Sequence, residues 1–301
     1  MTGVVFGAGG QLGRAFVEHL RREGEPVVGL LRADVDICDE DAVLKVLQQQ
    51  GASILINAAA WTDVDGAEVH QAEAMRVNIE GPEVLARCAN EFSIPLVHLS
   101  TDYVFDGGKG QPYDENDATN PINVYGHSKL LGEMAVIAGA REHMIFRTSW
   151  VHSSTGMNFS QKMLQLMRTQ EQVDVVVDQI GIPTWAPSFV DWVVGALRQC
   201  RAANGTYEFG TRTGLYHLCS AGHTTWYGFA KAIASAFSPD EGRVADVINP
   251  VSRDHFDQVA MRPADTRLDC SRFDSTFRLE RSDWESDVKK AIQQLVRMHH
   301  G

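Results

Sequence analysis

The chain is 301 residues long, 44% hydrophobic, and carries a formal net charge of −12. That length supports one large or two interleaved domains around a sizeable core. The acidic balance excludes nucleic acid as a partner class, because a phosphate backbone demands a basic surface. No apolar run approaches the ~18 residues of a membrane span, and no basic stretch precedes an apolar one at the start of the chain, so no membrane partner is expected and the chain is placed in the cytoplasm.

The first half alternates short β-branched apolar runs with longer amphipathic stretches. "VVFGAG" (4–9) leads into a helix over 11–24, "PVVGLL" (26–31) into one over 39–51, and "SILINAAA" (53–60) into a helical stretch around 68–92. "PLVHLST" (95–101) then precedes a helix over 121–140, followed by "HMIFRTSWV" (143–151). Nearly continuous apolar strands alternating with helices predict a parallel sheet covered on both faces. The fold class is therefore α/β, a doubly wound Rossmann-type parallel sheet. Asn120-Pro121 reads as the cap and first residue of the helix that follows, and Gly24 and Gly51 stand where helices should stop.

Beyond residue 151 the pattern loosens into a Gly/Pro-rich segment (179–187), helices near 188–201 and 225–236, a short strand (216–220) and an amphipathic stretch from 283 to 298. Residues 1–150 are thus assigned to a dinucleotide-binding domain. Residues 151–301 form mainly a smaller C-terminal substrate-binding lobe, with some segments returning to the main domain. Cys38, Cys88, Cys200, Cys219 and Cys270 are odd in number and scattered, with no C-x-x-C pair or neighbouring histidine set. Neither a disulfide framework nor a metal site is expected.

"GAGGQLG" sets Gly7, Gly10 and Gly13 around Gln11 and Leu12, directly after the first strand and at the mouth of the first helix. Glycine lets the backbone turn sharply and approach a pyrophosphate, while the helix N-terminus offers unpaired N–H groups and the positive end of its dipole. A dinucleotide is the expected ligand. At the end of the second strand, "VVGLLRAD" presents Arg32 where an acid would receive the ribose hydroxyls of NAD, and the next acid, Asp34, lies two residues on. A guanidinium there suits the 2′-phosphate of NADPH; NADH is the alternative if the loop brings Asp34 round.

"NVYGHSK" (123–129) places Tyr125 and Lys129 one helical turn apart on one face. A phenol with a pKa near 10 is a poor acid at neutral pH unless a neighbouring ammonium stabilises the phenolate. "HLSTDYVF" (98–105) adds Ser100 and Thr101 at the carboxyl end of a strand, where open α/β sheets bind ligands, to hold the oxygen of a substrate.

With these elements assembled, the chain resembles the extended short-chain dehydrogenase/reductases and, within them, the dTDP-4-dehydrorhamnose reductase family. The resemblance spans nearly the whole chain: "FGAGGQLG", "INAAAWTDVDGAE", "VHLSTDYVFDG", "NPINVYGHSKLLGE", "IFRTSWV", "DQIGIPT", "LYHLCSAGHTTWYGFA" and "RPADTRL". It implies reduction of dTDP-4-dehydro-β-L-rhamnose to dTDP-L-rhamnose, with Thr101, Tyr125 and Lys129 as the catalytic trio. It implies that Asn57, Ala58, Ala59 and Ala60 line the cofactor and that Val64, Asp102 and Trp150 lie near the sugar. Asn158 and Arg262 are implied for the nucleotide diphosphate. The alternatives are a sister reductase of another nucleotide-linked 4-keto-6-deoxy sugar, or a non-catalytic NADP-binding subunit like the regulatory subunit of methionine adenosyltransferase.

Many bacterial members of this family form dimers around magnesium held by glutamates. At the matching positions this chain has Ala15, then Pro187 or Ser188, and keeps only Glu285. A hard cation needs carboxylate oxygens, so a metal-bridged dimer is not expected and the chain is read as a monomer. Trp61, Trp185, Trp226 and Trp284 are read as packing residues, His98 as a satisfied core histidine, and His299-His300 as a solvated tail. The acidic run 34–43 edges an adenine pocket with its first half and opens a helix with its second.

Overall fold

A computed structural model describes residues 2–300, the side chains of 298–300 excepted, so the reading of His299 and His300 lies outside the described residues. Six strands form one parallel sheet in the order β10-β5-β4-β3-β1-β2. In chain order these are β1 (Thr2–Phe6), β2 (Val27–Leu30), β3 (Ala52–Asn57), β4 (Leu96–Thr101), β5 (His143–Thr148) and, after a long excursion, β10 (Gly214–His217). The helices between them are α1 (Gln11–Arg22), α2 (Glu40–Gln50), α3 (Val64–Val69), α4 (Gln71–Met75), α5 (Gly81–Glu91) and α6 (Val124–Gly139).

Strand alternation explains why every strand is apolar on both sides. Val5, Ile54, Ile56, Val97, Leu99, Met144 and Phe146 face one core, against Phe16 and Leu20 of α1. Val4, Phe6, Leu55, Leu96 and Ile145 face the other, against Leu47, Leu85 and Val136.

The rest of the chain is β6 (Val151–His152), α7 (Phe159–Thr169), β7 (Gln172–Val176), β8 (Ile180–Gly181), β9 (Thr184–Trp185), α8 (Ala186–Arg198), β11 (Thr224–Thr225), α9 (Trp226–Ala236), β12 (Val247–Val251), α10 (Ser271–Phe277) and α11 (Trp284–His300). Helices α7, α9 and α11 close around their own core with Met163, Phe229, Ile233 and Trp284. Phe189 of α8 and Phe273 of α10 instead join the core beside α1. Among the described residues no helix is long and apolar enough to cross a membrane.

One local reading is corrected and another refined. The cap of α6 is Asn123, whose side chain accepts from the Gly126 amide at 2.7 Å. Asn120 instead donates to Asp106 at 3.0 Å, so Pro121 lies ahead of the helix. The helical stretch expected around 68–92 is present as several pieces, broken at His70 and widened to a π turn over Arg76–Glu80. Pro82 carries no N–H for the carbonyl of Asn78, which frees that residue from the ordinary helical ladder. Gly51 does end α2 in the left-handed region, with φ +56°.

Candidate functional site

The glycine loop is packed so closely that side chains are excluded from it. Gly7 has φ +78°, and a Cβ there would lie 2.5 Å from the Ala59 amide; one on Gly13 would lie 2.1 Å from the carbonyl oxygen of Gly7. The loop therefore rests directly on the 57–60 turn. Gly10 caps α1 without a side-chain bond, and no acid stands in the first turn. The leading amides and dipole end are thus left to an anion.

Beside the loop lies a cavity of about 390 Å³ lined by Gly7, Gly10, Arg32, Asp36, Ala59 and Trp61. Arg32 faces this cavity, whereas the carboxylate of Asp34 turns back to accept from the Leu31 amide at 2.8 Å. Asp39 caps α2 through the Ala42 amide, with Glu40 and Asp41 in the first turn. The pyrophosphate cradle, the cavity and the free guanidinium together fit a dinucleotide carrying a 2′-phosphate.

At the carboxyl ends of the central strands, α6 brings Tyr125 against the hydroxyl of Thr101, the last residue of β4, and Lys129 against the carbonyl of Leu99 two residues before it. Burial pushes the Tyr125 phenol up to about 12, contact with the Thr101 hydroxyl works against that, and the charge of Asp102 adds to it. The ammonium of Lys129 is 2% exposed and donates to the Leu99 carbonyl at 2.6 Å. Burial brings its pKa down to about 8, opposed by Glu133. The expected lowering of the tyrosine pKa by Lys129 is not what this arrangement gives. The ammonium is committed to a backbone carbonyl, and the phenol is held protonated, as a proton donor must be.

Asp102 is buried beside this pair. Burial raises its pKa to about 6 against hydrogen bonds from Thr266, Ser149 and Thr101. The Ser149 hydroxyl donates to it at 2.9 Å and the Thr101 hydroxyl at 3.1 Å.

Val64 opens α3, and the next residue, Asp65, receives Arg262 through two hydrogen bonds of 3.0 and 2.7 Å. Arg262 also lines a second cavity of about 520 Å³ with Asp106, Gln179, Arg253 and Phe256. Trp150 has φ +42° and its indole stacks on Trp226 with ring centroids 3.6 Å apart. Trp226 packs as expected, although what it packs against is a candidate sugar contact. Trp284 is buried among α7, α9 and α11, while Trp61 edges the first cavity with its indole N–H on the Asp63 carbonyl at 2.9 Å. The indole N–H of Trp185 is buried and has no partner among the described residues.

Asn158 does not present a free amide for a diphosphate. Its oxygen caps α7 through the Gln161 amide at 3.2 Å, and its nitrogen donates to Gln11 at 3.0 Å and to the Ser153 carbonyl at 2.9 Å. His98 is only half satisfied: Nδ1 meets Asn57 at 3.0 Å and Nε2 has no partner among the described residues.

Nearly the whole chain matches one family model: residues 1–297 fit the RmlD substrate binding domain. A dTDP-4-dehydrorhamnose reductase of Sinorhizobium fredii is 37% identical over 292 residues, covering 97% of each chain. The chain belongs to the dTDP-4-dehydrorhamnose reductase family. A dTDP-4-keto-6-deoxy-D-glucose reductase of Streptomyces niveus is 40% identical over 266 residues, covering 88% of this chain and 87% of that one. The crystal structure of the dTDP-4-dehydrorhamnose reductase of Bacillus anthracis in complex with NADP superposes with a TM-score of 0.88 at 31% identity, covering 97% and 99% of the two chains.

Against that family frame, several site residues carry no local sequence signal. Asn78, on the π turn, bonds both the amide and the carbonyl of Trp61, at 2.8 and 3.0 Å, and reaches Ser128 at 2.9 Å. It ties the cofactor turn to the helix segment between Tyr125 and Lys129. Ser149, Thr266 and Arg147 support the site from strand ends and loops, and Glu133 from within α6. For Arg147 the one available signal is a charged residue within an otherwise apolar strand.

Proposed function

We propose that the chain reduces dTDP-4-dehydro-β-L-rhamnose to dTDP-L-rhamnose. NADPH supplies the hydride that goes to C4 of the sugar. The observation that carries this reading is the convergence of Thr101, Tyr125 and Lys129 at the carboxyl end of β4, beside a glycine loop shaped for a pyrophosphate. Tyr125 holds the proton for the forming alkoxide, and its raised pKa keeps that proton in place at neutral pH. Thr101 bonds the reacting oxygen, while Lys129 holds a positive charge one turn below the phenol and bonds the cofactor ribose. Arg32 grips the 2′-phosphate, with NADH as the weaker donor. Val64, Asp102 and Trp150 border the sugar, and Arg262 faces the nucleotide diphosphate. Asn158 contributes by fixing the start of α7.

A second reading is a sister reductase for another nucleotide-linked 4-keto-6-deoxy sugar, favoured by the 40% identity to the Streptomyces niveus enzyme. NADPH absorbance followed with dTDP-4-dehydrorhamnose, with its epimers and with the same sugar on UDP separates the two. Faster oxidation with an epimer selects the sister reductase. No oxidation with any of them rejects both and leaves a cofactor-binding subunit. We further propose that the chain is a monomer without a metal bridge, on the grounds argued with the last prediction below.

A further inference from the structure

Directly beneath the reacting centre lies a buried ion pair that the proposed chemistry does not itself use. Glu133 and Arg147 are 1% and 4% exposed, and they meet through two hydrogen bonds of 2.9 and 2.7 Å. Further contacts hold the pair in place. The Ser100 hydroxyl donates to Glu133, and Arg147 sits over the Phe105 ring, 5.1 Å from its centroid. The third donor of Arg147 points at Nε2 of His217 at 3.4 Å, while Nδ1 of that histidine donates to the Tyr113 carbonyl at 3.0 Å. Burial keeps His217 neutral, so it adds no charge.

Such a pair is costly to bury, and well-packed apolar residues of the same volume serve stability as well or better. Its position suggests what it does. Glu133 follows Lys129 by four residues on the same face of α6, and Ser100, which anchors it, directly precedes Thr101 in β4.

We propose that Glu133 is a positioning residue for the reductase site: held by Arg147 and Ser100, its carboxylate keeps the Lys129 ammonium charged and aimed in a region with no solvent to do so. Among the nearby titratable groups, His98 of β4 is held neutral by burial and the lysine charge, and Arg147, paired with Glu133, offsets part of the carboxylate's field without cancelling it. Glu133 is therefore the countercharge that acts on Lys129. Arg147 is its clamp, since without it a lone buried carboxylate would take up a proton and lose its field.

The proposal rests on the reductase reading for its purpose but is testable without turnover. The ¹³Cε resonance of Lys129, assigned by its loss in Lys129→Ala, is titrated in the cofactor-free protein. In Glu133→Gln the midpoint is expected to fall by about one pH unit or more, and the alkaline limb of kcat/KM to fall with it. Where Glu133→Gln fails to fold because Arg147 is left uncompensated, the double variant Glu133→Gln/Arg147→Gln removes both charges, and a smaller downward displacement is expected, because losing the guanidinium offsets part of the loss of the carboxylate. A midpoint that stays in place in the folded variant overturns the proposal, even if thermal stability drops. A displaced midpoint in a protein that oxidises no NADPH supports the electrostatic role and rejects the reductase reading.

Discussion

Gln11, inside the glycine loop, reaches across the molecule to Ser153: the Ser153 hydroxyl donates to the Gln11 side-chain oxygen at 2.9 Å, and Asn158 donates to the same oxygen at 3.0 Å. The glycine loop is thereby joined to the segment that opens α7 in the C-terminal half of the chain. Removing this link with Gln11→Ala should weaken the coupling between the two ligands. We expect NADP⁺ to tighten dTDP binding about tenfold in the parent protein and much less in the variant, a coupling of ordinary size. Calorimetric titration of dTDP with and without NADP⁺ checks it; an equal gain in both proteins would show that the bonds only brace the loop.

Tyr125→Phe should leave folding and cofactor binding nearly intact and lower kcat by about 10²–10⁴, the usual worth of a positioned general acid. Lys129→Ala should lower activity and also weaken NADPH binding. Retention of most activity by Tyr125→Phe in a steady-state assay would move the proton donor elsewhere.

Arg32 lines the first cavity with no ion-pair partner among the described residues, whereas Asp34 is engaged with the Leu31 amide. Arg32→Ala should therefore raise the KM for NADPH far more than for NADH, since only NADPH carries the phosphate. An equal change for both cofactors would reduce Arg32 to a surface charge.

The parts of this site that were legible in the sequence are the local ones. Gly7, Gly10 and Gly13 encode a turn, and Tyr125 and Lys129 encode a helix face, through spacings of a few residues. That the sheet is parallel followed from strands apolar on both faces alternating with helices, whereas its strand order and register did not. The support of the site was not legible, since Glu133–Arg147, Asp102–Ser149 and Asn78–Trp61 pair residues from different elements. Asn120-Pro121 misled for a related reason: both Asn120 and Asn123 suit a cap, and only the tertiary bond from Asn120 to Asp106 leaves Asn123 to open α6.

Asp102 gives a pH prediction. Its folded pKa of about 6 lies above the ordinary carboxylate value because burial disfavours the charge. Stability linked to this group is fully present below the unfolded pKa and is lost as pH rises through about 6. Asp102→Asn removes that loss, so relative to the parent the variant should gain about 1 kcal/mol between pH 5 and pH 8. Urea unfolding at the two pH values measures it. A constant difference would place the Asp102 pKa outside this window.

The last prediction concerns assembly. A magnesium ion between two subunits needs oxygen ligands, with carboxylates among them. In α1 the position that would supply one is Ala15, half-buried against the core shared with α8. At the start of α8 it is Ser188, 7% exposed and turned toward Ser282 at 3.4 Å. The next acid along, Asp191, is already paired with His19 of α1 at 2.7 Å, so a shift of a few residues does not free a carboxylate. Glu285, exposed at the start of α11, remains alone. One carboxylate per chain cannot hold a shared cation against water, so the protein should elute as a monomer with the same mass in magnesium and in EDTA. Light scattering coupled to size exclusion reads that mass directly; a dimer that dissociates on chelation would refute the argument, because ligands other than these would then have to bridge the subunits.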